Sequence, residues 1–383
     1  MNISRARVNP GFRYPLARPR LGIRERKMLL DAFDSGWISS TGRYVSQFQQ
    51  NFARYVGAGA GVATSSGTTA LHLALSACGI KEGDEVVVPD LTFVSPANMV
   101  TLVGAKAVMA DSNRAYWGVD ADAIKRRLTK RTKAIIVVHL YGHPVDLDPI
   151  SELCESENLT LIEDCAEAHG ARYRGKKVGS FGRVSCFSFY GNKLLTTGEG
   201  GMCLTDDSVL AEKLILLRDH GADRRKHFWH PVVGFNYRMT NLQAAIGCAQ
   251  LQSLDDRVSR YRKIGKAYED NLKDVLGSQV SPHPHMDWAY CVFWMYTILI
   301  DGLGRRLRGN LQRYLETKGI ETRPMFYPVS KLPPFRDHAY TNRVANELSE
   351  RGLSLPTYEG LDDNGIAFIS RTLRDFARGW IRK

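Results

Sequence analysis

One lysine in this chain of 383 residues stands where a lysine can become a nucleophile. Lys193 ends the run Ser188-Phe189-Tyr190-Gly191-Asn192-Lys193, at the exit of the apolar stretch Val184–Phe189 and just ahead of Gly198-Glu199-Gly200-Gly201. Most lysines are solvated. One caught between a buried strand and a glycine-rich return is desolvated, and a desolvated amine holds its proton less tightly. Three further features offer chemistry. Thr64-Ser65-Ser66-Gly67-Thr68-Thr69 precedes a helical pattern. Read alone it is an N-cap; small and hydroxyl residues at a helix start also expose backbone N–H groups to an anion. Asp164 follows the apolar run Leu159–Ile162, inside Glu163-Asp164-Cys165-Ala166-Glu167-Ala168-His169-Gly170. Carboxyl ends of strands are where open α/β sheets bind ligands, and an acid there can hold a pyridinium proton or merely cap a helix. Phe93, in Thr92-Phe93 beyond Pro89, can stack on a planar ring or pack into a core.

Together these parts meet one set of needs. Pyridoxal phosphate requires a lysine for its Schiff base, an acid for its ring nitrogen, a helix N-terminus for its phosphate and a flat face to lie against.

The elements that must position these residues are legible as patterns. Val86–Val88, Ala107–Ala110, Ala134–Leu140, Leu159–Ile162, Val184–Phe189 and Met202–Leu204 read as strands, with helical spacing between them over Ala70–Cys78, Asp120–Leu128 and Ile150–Glu157. Strand and helix in alternation predict a three-layer α/β domain with a mostly parallel sheet. The strand runs are apolar throughout, as sheets covered on both faces require. From Thr240 one long helix is expected, with Leu242, Ala245, Ile246, Ala249, Leu254, Val258, Tyr261, Ile264, Tyr268 and Leu272 on its apolar face. Beyond it, the strand-like Val292–Ile300, a helix over Gly309–Lys318 and the loop Pro324–Pro334 suggest a smaller α+β domain. The expected division is residues 1–250 for a large cofactor-binding domain with an N-terminal segment, and 251–383 for the small one.

The runs Ser65-Ser66-Gly67-Thr68-Thr69-Ala70-Leu71-His72, Glu163 to Gly170 and Gly198 to Gly201 resemble the DegT/DnrJ/EryC1/StrS family of nucleotide-sugar aminotransferases. The resemblance covers nearly the whole chain, including Gly36-Trp37-Ile38-Ser39-Ser40-Thr41-Gly42 and Gly234-Phe235-Asn236-Tyr237-Arg238-Met239-Thr240. It implies the type I fold of pyridoxal phosphate-dependent transferases, that of aspartate aminotransferase. It further implies the cofactor in its pyridoxal and pyridoxamine forms, an L-glutamate donor and a nucleotide-linked keto sugar as acceptor. Gly191-Asn192-Lys193, Trp229-His230-Pro231-Val232-Val233-Gly234 and Gly319-Ile320-Glu321-Thr322-Arg323-Pro324 resemble members that aminate C4 of GDP-4-keto-6-deoxymannose. Carried over by residue, the family pattern makes Lys193 the Schiff-base lysine and proton carrier, and Asp164 the pyridinium partner. Phe93 stacks on the ring, while Ser66, Gly67, Thr68 and Ser188 cradle the phosphate. Asn236 reaches the phosphate of a neighbouring subunit, which implies a homodimer with shared sites. Trp37, His169, Arg238 and Arg323 are candidate sugar contacts, with His169 at least equally a structural histidine. Many members carry Gln where this chain has Glu167, so Glu167 must hold or share a proton, or turn away. Related enzymes that remove the sugar's C3 hydroxyl replace the lysine with histidine; Lys193 argues against that chemistry. A cofactor-binding regulator would need a DNA-binding module, for which the roughly 60 residues before the phosphate motif leave little room.

Composition narrows the partners. At 44% hydrophobic and 24% charged residues the chain is neither disordered nor fibrous. Its formal charge of +12 lies at the two ends. Residues 1–27 carry eight basic side chains against Glu25, and residues 371–383 carry five against Asp375, so the body is near neutral. That distribution does not suit a nucleic-acid binder. Seven cysteines form no CxxC or Cys/His cluster, so free thiols and no metal site are expected. No apolar run approaches the roughly 20 residues of a membrane span. The Arg-rich N-terminus superficially resembles a transit peptide, but Pro10, Pro15 and Pro19 suit an amphipathic helix poorly. The expected location is the cytoplasm.

Overall fold

The computed structural model describes residues 11–223, 225–275, 280–301, 304–336 and 342–381. Arg5, Arg7, Arg382 and Lys383, which belong to the two basic ends, and Pro10 lie outside the described residues. The main strands are β1 (Ala60–Thr64), β2 (Glu85–Pro89), β3 (Lys106–Ala110), β4 (Thr132–Val138) and β5 (Thr160–Asp164). Two short strands, β6 (Arg172–Tyr173) and β7 (Lys176–Lys177), precede β8 (Val184–Ser188) and β9 (Gly201–Thr205). Seven of these form one sheet in the order β1-β9-β8-β5-β4-β2-β3. Pairing is parallel from β8 through β5, β4 and β2 to β3, and antiparallel where β9 meets β8 and β1.

The continuously apolar strands are explained by the two sheet faces. Val86, Val88, Ala134, Ile136 and Ile162 enter one buried cluster, while Val87, Ile135, Val137 and Leu161 enter another on the opposite face. Successive side chains of a strand alternate sides, so a sheet with helices on both faces has no polar register. The fold is thus an α/β fold with a mostly parallel central sheet.

Four further strands, β10 (Val280–Ser281), β12 (Tyr296–Ile300), β13 (Arg323–Pro324) and β14 (Gly352–Leu355), make an antiparallel sheet in the order β10-β12-β14-β13. The intervening β11 (Ala289–Tyr290) pairs instead with β6. This second sheet has its own core, which includes Tyr268, Tyr296, Ile298, Leu353 and Ile366.

Several boundaries differ from expectation. The long helix divides into Asn241–Leu251 and Leu254–Leu272. The second piece joins the two cores, with Leu254, Val258 and Tyr261 in the first and Ile264, Tyr268 and Leu272 in the other. Strand β5 runs two residues further than its apolar stretch, so Glu163 and Asp164 end it as buried acids. The expected strand Val292–Ile300 begins only at Tyr296. All seven cysteines are free, and six of them are buried. Among the described residues no helix is long and apolar enough to cross a membrane.

A buried carboxylate joins the two sheets near the end of β2. Asp90 accepts from the Ser330 N–H (2.7 Å), the Ser330 hydroxyl (2.8 Å) and the Asn342 amide (2.9 Å). Nearby, Asp111 accepts from Val344 N–H and Ala345 N–H at the start of the helix Arg343–Arg351. Truncating Asp90 strands three buried donors. Asp90→Ala is therefore expected to lower the free energy of unfolding by about 3 kcal/mol, and Asp90→Asn by less, because an amide oxygen still accepts. Equilibrium urea unfolding of both variants measures the difference.

Candidate active site

The cavity that gathers the chemistry-bearing residues has a volume of about 410 Å3 and lies at the carboxyl ends of β5 and β8. Ser66, Gly67, Thr68, Phe93, Asp164, Glu167, Ser188, Lys193 and Arg323 all line it. A larger and more open cleft of about 760 Å3, between Trp117 and Ser281–His285, contains none of them.

One wall is the first turn of the helix Gly67–Ala77. Ser66 caps it: its hydroxyl accepts from Thr69 N–H at 3.1 Å, while Ser66 N–H donates to the Thr69 hydroxyl. The N–H groups of Gly67 and Thr68 have no intrahelical acceptor and carry the positive end of the helix dipole. The Thr68 hydroxyl is fixed against Ser95 Oγ at 2.9 Å. Gly67 is required by close approach, because a Cβ there would stand 2.6 Å from Ser188 Cβ. Absence of a side chain thus lets the helix start and the end of β8 share one small cup.

The floor is acidic. Asp164 is buried and accepts from Ala166 N–H at 3.0 Å. Burial raises its pKa, and the Ala166 N–H and the Lys193 ammonium pull it back in part. Glu167 is also buried, and its Oε2 accepts from Tyr141 N–H at 2.7 Å. Burial pushes the Glu167 carboxyl upward, against the pull of the Lys193 ammonium and the Tyr141 N–H. Lys193 opens onto the cavity, and removal from water lowers its pKa while the two carboxylates raise it. Lys193 N–H donates to Tyr190 O at 2.9 Å, which tightens the loop that presents the amine.

Behind the floor lies a second carboxylate system. Glu163 is fully buried and accepts from Gly179, Phe181 and Gly182 N–H at 2.7–2.8 Å, and lies 3.2 Å from His139 Nε2. His139 Nδ1 accepts from Val145 N–H, so Nε2 carries the proton and donates to Glu163. Burial alone would raise the Glu163 pKa, but His139 and the N–H groups outweigh it and hold the acid below its usual range. His139, Glu163 and Cys165 bring possible ligand atoms within 4.8 Å of one another. The hydrogen bonds already satisfy both Glu163 oxygens and both His139 ring nitrogens.

Other expected site residues stand elsewhere. His169 is fully buried against Phe52, Phe187 and Phe189 and does not line the cavity. Burial drives its pKa down to about 3, so it is a neutral ring within an aromatic cluster rather than a sugar contact in this cavity. Trp37 is 61% exposed. Asn236 is exposed, with Oδ1 accepting from Arg238 Nε at 3.1 Å, and Arg238 pairs with Asp219 at 2.8 Å. None of the three lines this chain's own cavity. The structure adds residues that the sequence did not single out: Ser95, Tyr190, Trp294 and Phe326 line the cavity, and Tyr141 lies behind Glu167. Only Tyr190 and Ser95 had a local signal, as neighbours of the lysine loop and of Phe93.

The residues fit pyridoxal phosphate. Free N–H groups at a helix start beside Ser188 suit a phosphate, a buried carboxylate suits a ring nitrogen, and Phe93, 53% exposed, offers a face. A desolvated amine faces the same space.

Comparison with known proteins agrees. The model of the DegT/DnrJ/EryC1/StrS aminotransferase family matches residues 19–374. The chain is 46% identical over 356 residues to a GDP-perosamine synthase of Caulobacter vibrioides, covering 92% of this chain and 95% of that one. It is 41% identical over 362 residues to a GDP-perosamine synthase of Escherichia coli O157:H7, covering 94% and 98%. Among solved structures it resembles the aminotransferase TlmJ of Streptoalloteichus hindustanus, with a TM-score of 0.91 and 30% identity, over 96% of this chain and all of that one.

The cup at Gly67 makes a direct prediction. In Gly67→Ala the added methyl must push the helix start from β8, so affinity for pyridoxal phosphate should fall about tenfold or more. Titration of the apoprotein followed by visible absorbance reads it, and wild-type affinity would show that the close approach is not what shapes the cup.

Proposed function

The chain belongs to the DegT/DnrJ/EryC1/StrS family of pyridoxal phosphate-dependent sugar aminotransferases, and from that premise we propose that it transfers an amino group from L-glutamate to C4 of GDP-4-keto-6-deoxymannose, giving GDP-perosamine. The observation that carries the choice of sugar is the likeness, over more than nine-tenths of both chains, to two GDP-perosamine synthases. The geometry of the cavity supports the chemistry.

Bound pyridoxal phosphate supplies a carbonyl that takes up amino groups and a ring that draws electrons from the neighbouring carbon. The chain supplies the rest. Gly67 and Thr68 N–H groups with the Ser66 and Ser188 hydroxyls bind the phosphate. Phe93 would offer one face to the ring. Asp164, buried at the end of β5, would hold a proton on the ring nitrogen, because the attraction between a carboxylate and a pyridinium is stronger there than in water. Lys193 is the amine that holds the cofactor and carries protons at Nζ, and its desolvation favours a neutral, basic form. Glu167, held by the Tyr141 N–H, is near enough to the same amine for the charges to be felt, and at the place of the family's Gln it favours the protonated amine. Arg323, at β13 in the cavity wall, is placed to take a carboxylate or phosphate oxygen.

The site is completed by a second copy of the chain. Large apolar side chains are exposed at Ile23, Phe33, Trp37 and Ile38, and again at Phe228 and Val233. Exposure of this kind in two segments suits a covered surface. Asn236 and Arg238 follow the second segment and would be carried into the partner's cavity.

Two experiments test the reading. Lys193→Ala should lose turnover by at least about 10^3-fold, and Asp164→Asn by about 10^2-fold or more while still retaining cofactor. Near-normal kcat in either variant removes the role assigned to it. A panel of 4-keto and 3-keto nucleotide sugars, with glutamate as donor and the product identified by NMR, should give amination at C4 of the GDP sugar. Preference for a uridine or thymidine sugar, or amination at C3, overturns the sugar assignment and leaves the aminotransferase intact.

A further inference from the structure

The second sheet sends one aromatic residue onto the reacting amine. Trp294 precedes β12, is 4% exposed and lines the cavity. Lys193 Nζ lies 3.6 Å from the centre of its indole, well within cation–π range. The same indole donates from Nε1 to Asn192 O at 2.8 Å, so it grips the lysine loop by its backbone as well.

The backbone on both sides is shaped around this contact. Phe293 has φ +50° and Tyr141 has φ +52°, a left-handed conformation that costs bulky residues energy and persists only where packing imposes it. Val292 N–H donates to Gly142 O at 3.0 Å. Gly142, with φ +89°, admits the Val292–Trp294 segment, because a Cβ there would stand 2.7 Å from Val292 Cγ2 and 3.1 Å from Trp294 N. Tyr141 stacks on Trp294 at 6.2 Å and 25°, and Phe326 stacks on Tyr141 at 5.5 Å and 15°. Tyr141 N–H also holds Glu167. One strained turn thus fixes both the indole on one side of the amine and a carboxylate on another.

We propose that Trp294 is a positioning residue for Lys193: its indole face stations the ammonium, and its Nε1–H pins the loop at Asn192, whenever the amine is free. This rests on Lys193 being the reacting amine. Without the ring, the ammonium would be drawn wholly towards the carboxylates, away from the place where its proton is needed. The charged and titratable groups around it are Asp164 at the end of β5, Glu167 and His169 in the turn that follows, Glu199 in the cavity wall and Arg323 at β13. Glu167 and Asp164 favour the protonated amine and Arg323 opposes it. The indole adds to the acids, since a cation gains from the ring face and a neutral amine does not.

The test reads the amine itself in apoprotein. Lys193 is acylated with limiting acetic anhydride across neutral to alkaline pH, and its modification is followed by peptide mass spectrometry. The midpoint reports proton affinity, and the plateau reports access. Trp294→Leu should move the midpoint down by about half to one pH unit, whereas Trp294→Phe, which keeps a ring face and loses only the N–H, should stay near wild type. Trp294→Met, apolar and without a π face, stands in if the leucine variant does not fold. In holoenzyme the leucine or methionine variant should lose kcat with little change in KM for glutamate. An unchanged or raised midpoint without the ring face, or an equal shift in the phenylalanine variant, overturns the proposal. None of these outcomes depends on turnover, so they are separable from failure of the Lys193 assignment, which Lys193→Ala reads.

Discussion

Asp164, Glu167 and Lys193 line one small cavity, and much of the surrounding structure follows from keeping them there. Burial drives Asp164 and Glu167 towards their protonated forms and Lys193 towards its neutral form. Lys193 opposes that drift in both acids and both acids oppose it in Lys193, whereas Asp164 adds to it in Glu167. Such a set is costly to desolvate and works only if its members are held in place. The fold meets this with backbone rather than loose side chains. Asp164 closes a central strand, Glu167 is fixed by the Tyr141 N–H, and Lys193 is fixed by a turn closed onto Tyr190. Glu163, directly before Asp164, gathers the N–H groups of Gly179, Phe181 and Gly182 and so holds the segment leading into β8. Adjacent acids on one strand point to opposite sheet faces. One therefore serves the scaffold and the other the site.

How much of this the sequence showed depends on the distance between partners. The strands, the cup at Ser66–Thr68, the acid and the lysine are each local, and the buried sheet writes itself as uninterrupted apolar runs. Trp294, Tyr141 and Phe326 carry no such mark. In a sequence they are ordinary core aromatics, and what makes them site residues is contact across gaps of 101 residues from Lys193 to Trp294 and 153 from Tyr141 to Trp294. Asp90 is similar, since its partners lie 240 and 252 residues away. The break at Gln252 and Ser253 was hidden because apolar spacing persists through it, while the two pieces pack differently. The place of His169 is open in the sequence for a related reason: its neighbours in sequence serve the site, but its ring enters the cluster of Phe52, Phe187 and Phe189, the structural of its two readings.

The cavity has walls from both cores, which gives the join between them a chemical consequence. Ser66, Asp164 and Lys193 come from the large sheet and its connections, whereas Trp294, Arg323 and Phe326 come with the second. Phe93 faces Phe326 at 5.9 Å, so the two halves meet ring against ring over the opening. The Asp90 clasp lies three residues before Phe93 and engages Ser330, four residues after Phe326. A shift of one sheet against the other would therefore change the height of the cavity and the distance from indole to amine together. The buried Asp90 carboxylate resists such a shift, because separation strands the donors of Ser330 and Asn342.

Burial also separates chemistry from recognition. The charged set lies inside, tightly packed, where a change of one methyl group is felt by every neighbour. Trp37, Asn236 and Arg238 are exposed or half-buried and bonded mostly to residues close in sequence or at the surface. If the acceptor's nucleotide is read from an exposed residue such as Trp37, outside the cavity that holds Lys193, specificity can change there with little coupling to the proton affinity of Lys193, since distant sites without shared partners contribute almost independently. Arg323 is the exception. It stands in the cavity wall and opposes the protonation of Lys193. An anionic ligand that neutralised Arg323 would raise the amine's affinity for a proton, so at this one residue binding and basicity are linked.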